Sequence, residues 1–184
     1  MKRSTVWALA LVLLATGVAA FGQNAALAVT TNKPVVDGVV NPNEYSFSTN
    51  LRDCVLYATR TADALYVAVV GNTTGWVAFG LGSQKMDGAT IFMGFVQSTG
   101  KVQFKPQAGR GHTHRDTTQD VTDSVVAYAM KETGGKTTLE VELKPAMYIK
   151  SGQAALDMIW AVGTDDSFIP VHMSRGALSV KLAK

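Results

Sequence analysis

Apolar positions in this chain come in short runs, roughly 8–12 residues apart, with Gly, Pro, Asn or Asp between them. Within several runs polar and apolar residues alternate with the period of two that a half-buried strand requires. Residues 45–49 (YSFST) read this way, and 55–58, 65–70, 125–131, 137–143 and 156–163 are further strand candidates. Gly134-Gly135 joins two of them as a hairpin, Asp37-Gly38 marks another hairpin turn, and 101–104 extends the sheet beyond a turn at 98–100. No stretch sustains a helical period, and 144–152 reads as a turn or a single helical turn. The pattern predicts an all-β chain: an antiparallel, immunoglobulin-like β-sandwich.

The stretch 75–96, GWVAFGLGSQKMDGATIFMGFV, organises the rest. In 76–81 both alternating faces are apolar, as in a strand buried on both sides. A second strand, 89–96, follows a short turn that carries Met86 between Lys85 and Asp87, where a polar residue is the norm. The final run, 169–182, reads as a strand broken at Arg175-Gly176, with His172 in its apolar first half. A thioether and an imidazole brought from two separate strands suit the two axial positions of a haem iron. Between these, 106–123 lacks apolar periodicity and reads as a long loop, of the kind that is often functional or mobile.

Lys2 and Arg3, the apolar run 6–15 and the small residues up to Gly22 form a secretory signal, with cleavage expected after Gly22. The apolar run is shorter than the ~20 residues of a membrane span, so none is expected after cleavage. This leaves 23–184 as one domain, periplasmic or secreted. Its 15 basic residues against 14 acidic ones reduce the net charge from +3 to +1. No basic cluster interleaves with aromatic residues, so a nucleic-acid partner is not expected. The single cysteine, Cys54, reads as a buried strand residue and excludes a CxxCH haem attachment, an iron–sulfur cluster and a Cys-rich zinc site.

The combination GWVAFGLG…M.GA..FMGFV with W.VG…IPVH..RG.L.V.L resembles the haem-binding branch of the DOMON domain family, which includes the cytochrome domain of cellobiose dehydrogenase. The resemblance runs from about Asn32 to Leu182, and PVVDGVVNPNEY, DTTQDVTDS and GGKTTLEVEL also look like bacterial members. It implies a β-sandwich holding one non-covalent haem b between its sheets or at their edge, with Met86 and His172 as axial ligands. Two protein ligands favour electron transfer over oxygen activation, here to a separate, unidentified redox partner. Trp76, Phe79, Phe92, Phe95, Trp160 and Phe168 are candidate walls for the porphyrin, and Arg175 is placed to pair with a propionate.

Other residues offer rival chemistry. Met93 reads as core, Met158 as a possible pocket wall, and Met173 as pointing away from His172. His112-Thr113-His114 has the spacing of a zinc or copper pair, with Asp116 as a third ligand, but its polar, Gly-flanked context reads as a solvated loop. Asp165-Asp166 and Asp120/Asp123 lie in turn-like contexts where Asp caps backbone groups, and no nucleophile–base arrangement is present, so an enzyme is not expected. The alternative is a haem-free carbohydrate or small-molecule module using Trp76 or Trp160 as a stacking platform. A metal carrier built on His112 and His114 is the third reading.

Overall fold

The computed structural model describes residues 26–169 and 171–183; the expected signal segment, 1–22, lies outside them. In chain order the strands are β1 (Phe47–Asn50), β2 (Cys54–Arg60), β3 (Leu65–Gly71), β4 (Val77–Leu81), β5 (Thr90–Val96), β6 (Val102–Arg110) and β7 (Thr113–Asp116). A short helix α1 (Gln119–Asp123) precedes β8 (Val125–Thr133), β9 (Lys136–Leu143), β10 (Ala155–Val162) and β11 (Ser174–Lys181). They form two sheets, ordered β1-β2-β3-β9-β8 and β11-β10-β4-β5-β6-β7, and the described strand pairs within them are antiparallel. The fold is the expected all-β sandwich. No helix among the described residues is long and apolar enough to cross a membrane.

The core lies between the sheets. Val67, Val69, Leu139 and Val141 face Val77, Phe79, Phe92, Met158 and Val162 across it. Phe79 and Phe92, paired in register on β4 and β5, are fully buried and stack with ring centroids 4.9 Å apart. Losing either ring to Ala would cost about 3–5 kcal/mol. The outer face of the five-stranded sheet is covered by the chain before β1: Val36, Val40 and Tyr45 pack on Ala64, Tyr66 and Ala68. Glu140 fastens this cover, accepting from Gly38 N–H at 2.7 Å and from the Tyr45 hydroxyl at 2.6 Å. Asp37-Gly38 is thus a turn, with Gly38 at φ +84°, but no strands flank it as a hairpin.

Two stretches differ from expectation. Residues 106–123 are not one loop: β6 runs on through Pro106 to Arg110, turns at Gly111, and returns as β7 before α1. Polar and glycine residues hide this hairpin from an apolar-pattern reading, because backbone pairing at a sheet edge does not need aliphatic side chains. Pro106 is tolerated because β7 pairs only from Gln107 onward, so β6 is the sheet edge there. At the other end, β11 starts only at Ser174, so His172 precedes the strand. Ile169, Val171 and Met173 around it are largely exposed, which explains why an apolar run was not a strand buried in the sheet.

Candidate functional site

The outer face of the six-stranded sheet carries a second apolar layer of Trp76, Ala78, Ala89, Ile91, Met93 and Phe95, with Ile159 and Ala161 against it. Alternation dictates this: on β4, β5 and β10 the residues between those of the core must point the other way. Met93 therefore belongs to this outer layer and not to the inter-sheet core, whereas Met158 is wholly within the core.

Connections from both ends of the sheet fold over this layer. The register of Leu81 with Thr90 and of Thr90 with Ala108 puts the 82–89 turn and the β6–β7 turn at one end. The register of Val162 with Val77 and with Ser174 puts the 163–173 connection at the opposite end. Met86, His112 and His114 thus arrive from one side, and Phe168 and His172 from the other. Together they enclose a cleft of about 400 Å³ floored by Ala78, Ile91, Met93, Ile159 and Ala161. That volume suits a drug-sized ligand, whose sites span roughly 300–1,000 Å³.

Each wall is anchored. In the 82–89 turn, Ser83 Oγ donates to the Asp87 carbonyl at 2.9 Å and accepts from Lys85 N–H at 3.0 Å. Gln84 Nε2 donates to Asp157 Oδ1 at 2.9 Å, tying the turn to β10. This bond and one from Ser179 hold the Asp157 carboxyl below the ordinary carboxylate value. Gly109 lets the two turns meet: a Cβ there would collide with the Met86 carbonyl. Gly111 N–H donates to Asp87 Oδ1 at 2.8 Å, locking them further. Opposite, Met173 N–H donates to the Val162 carbonyl at 2.8 Å, and Phe168 packs on Phe95 at 4.9 Å, fixing the His172 connection at both ends.

A second cavity of about 720 Å³ adjoins the first. Both are bordered by Met86, His112 and His172, so these three donors stand at the seam. The second cavity is lined by Lys85, Asp87, Arg175 and Gln84, and is therefore the charged side of an otherwise apolar site.

Of the sequence-predicted site residues, Met86, His172 and Trp76 line the cleft and Arg175 lines its charged extension. Phe92 does not reach it: it points into the core from the opposite face of β5. Trp160 also faces inward, its indole laid over Gly176, and borders the cleft from beneath. Of the two expected places, between the sheets or at their edge, the first is filled by stacked aromatics, and the cleft lies on the outer face of the six-stranded sheet.

His112 and His114 are cleft residues and not members of a detached loop. His114 pairs across the hairpin with Gly109, the residue under the Met86 carbonyl, which directs its ring to the cleft side. No group of three or more His, Cys, Asp or Glu suited to hold a metal ion occurs among the described residues, so Asp116 does not complete a site with them. Lys85 was missed; its signal was its position beside Met86 in a short turn. Asp165 accepts from the Thr164 hydroxyl and Asp123 from Gln119, as turn and helix residues do.

Among the described residues three buried polar atoms lack partners: Trp76 Nε1, Gln107 Oε1 and His114 Nδ1. All three belong to residues of this one face, by the register of Gln107 with Ile91 and of His114 with Gly109. Buried polar atoms are rarely left unpaired, so their concentration here marks a face built for something more than packing.

Residues 52–163 match the DOMON domain family model. The chain belongs to the DOMON family. The matched stretch runs from just before β2 to the end of β10, so it contains Met86 and the hairpin histidines and stops short of His172 and Arg175. Comparison with curated proteins gave no match. Among solved structures, this DOMON domain is similar to the cytochrome b domain of pyranose dehydrogenase from Coprinopsis cinerea, with TM-score 0.52, 11% identity, and coverage of 70% of this chain and 76% of that one. It is equally similar to a family 9 carbohydrate-binding module from Caldicellulosiruptor kristjanssonii in complex with cellotriose, with TM-score 0.52, 12% identity, and coverage of 85% and 92%. The cytochrome domain of Myriococcum thermophilum cellobiose dehydrogenase has TM-score 0.48, 12% identity, and coverage of 71% and 75%. At these identities the likeness is one of fold, and it embraces both cytochromes and sugar binders.

Proposed function

We propose that this DOMON domain is an exported b-type cytochrome that binds one haem b without covalent attachment and passes single electrons to a separate protein. The observation that carries the reading is that Met86 and His172, from opposite ends of one sheet, border one cleft with an apolar floor. A thioether and an imidazole are the donor set of a low-spin electron-transfer haem, which supplies a reversible one-electron couple when bound.

The residues fit such a group. Ala78, Ile91, Met93 and Ile159 offer a macrocycle the non-polar surface it needs, and Trp76 and Phe168 form a side wall. Lys85 and Arg175 stand in the charged extension, where cationic donors suit a pair of carboxylates. The chain's own work is to hold both donors in place, keep water off the apolar floor and expose one edge of the site to a partner.

The same fold carries sugar binders; here the polar groups, Trp76, His112 and His114, stand at the walls while the floor is aliphatic and thioether in character, which suits the face of a macrocycle better than a sugar ring. The deciding experiment compares absorption spectra, oxidised and dithionite-reduced, for wild type, Met86→Ala and His172→Ala expressed with ample haem. A sharp reduced α-band, haem extractable into acid acetone, and disturbance by both substitutions are expected. A colourless wild-type protein would overturn the reading, and oligosaccharide titration would then test the sugar module.

A further inference from the structure

Of the described side chains that line the cleft from its end of the sheet, His172 alone can ligate a metal, but the opposite end delivers more than one donor. Met86 and His112 both border the two adjoining cavities, at the seam that His172 also borders. They stand on neighbouring turns joined by three bonds, Gly111 N–H to Asp87 Oδ1 at 2.8 Å, Gly88 N–H to the Gly109 carbonyl at 3.3 Å and Gly109 N–H to the Ala89 carbonyl at 2.9 Å. Were an iron held by His172, the opposite end would offer it Met86 or His112, the two donors that border both cavities, whereas His114 borders only the first.

The two differ in exposure and chemistry. Met86 is half-buried against the apolar layer, whereas His112 is exposed and follows Gly111, a turn residue at φ +57°. A thioether raises the reduction potential relative to an imidazole, because the softer donor favours the ferrous state. We propose that Met86 and His112 are interchangeable ligands for one axial position, so that the site can pass between a Met/His and a His/His state of lower potential. The exchange breaks one iron–sulfur bond and forms one iron–nitrogen bond, with no net change in electrons. This inference rests on the haem reading above.

The test uses electron paramagnetic resonance and absorption spectra of the full mature protein reconstituted with haem, for wild type, His112→Ala, Met86→Ala and Met86→Ala/His112→Ala. Circular dichroism establishes that each variant is folded. Met86→Ala is expected to stay six-coordinate and low-spin with a bis-imidazole signature and a lowered potential. The double variant is expected to become five-coordinate and high-spin, and to return to low spin when free imidazole is added. His112→Ala alone should keep the methionine-to-iron charge-transfer band. A high-spin Met86→Ala protein, or a double variant that stays low-spin without imidazole, would overturn the exchange while leaving haem binding intact. Failure of wild type to take up haem would instead sink the haem reading, and this inference with it.

Discussion

Outside the cleft, Glu140 is a charged residue wholly buried on the outer face of the five-stranded sheet. One carboxylate oxygen accepts from the Asp37 and Gly38 N–H groups, and the other from the Tyr45 hydroxyl at 2.6 Å. Burial and the neighbouring carboxylate push the Tyr45 phenol far above its ordinary value, so it stays a donor in the folded state. Replacing Tyr45 by Phe keeps the ring and removes the donor, leaving a buried acceptor unpaired. A loss of about 1–3 kcal/mol in urea-unfolding free energy is expected. An unchanged midpoint would mean that the Glu140 cluster does not hold the N-terminal cover in place. From sequence, Glu140 was indistinguishable from Glu142 two positions on, since both sit on one face of an alternating strand. Which of them meets Tyr45 depends on where the chain before β1 crosses the sheet.

Among the elements, the contact between the 82–89 turn and the β6–β7 hairpin decides the shape of the cleft. Gly109 has no side chain because the Met86 carbonyl occupies that space. Gly109→Ala is expected to cost about 1–3 kcal/mol by overpacking, and to shift Met86 enough to weaken cofactor uptake. Gly100→Ala is the control: it lies in open space at φ +81°, so it costs about 1–2 kcal/mol of backbone strain and leaves the cleft unaltered. Thermal melts and haem titrations of the two variants separate these effects, and equal uptake in both would refute the packing argument. The glycine-rich, polar composition around Gly109 and Gly111 is the reason this hairpin read as a loop. β4, β5 and the β8–β9 hairpin, which bury continuous or alternating apolar residues, were legible nearly to the residue.

At the scale of the whole molecule, buried acids of the weak kind set the alkaline limit of the fold. Burial is the leading cause that pushes the Cys54 thiol from 9.0 up to about 12, and the Tyr66 phenol from 10.0 up to about 12. Burial also raises the Tyr57 and Tyr148 phenols. Because the folded values lie above the unfolded ones, these groups contribute stability fully at neutral pH and lose it as pH rises from about 9 toward 12. Urea midpoints should therefore fall steadily over that window, with Cys54→Ala reducing the slope at its lower end. A flat profile up to pH 12 would refute the buried placement of these groups.

The sequence by itself determined the sandwich and its tightest strands, because alternation is a local signal, and it singled out Met86 and His172, which the structure brings to one cleft. The face of the sheet that carries the site was decided only by tertiary structure. Phe92 and Met93 are neighbours in sequence, yet one fills the core and the other floors the cleft, and a strand apolar on both faces does not say which side is which. The gathering of His112 and His114 beside Met86 was likewise invisible in the chain. It follows from strand order and register, which put turns distant in sequence at the same end of one sheet.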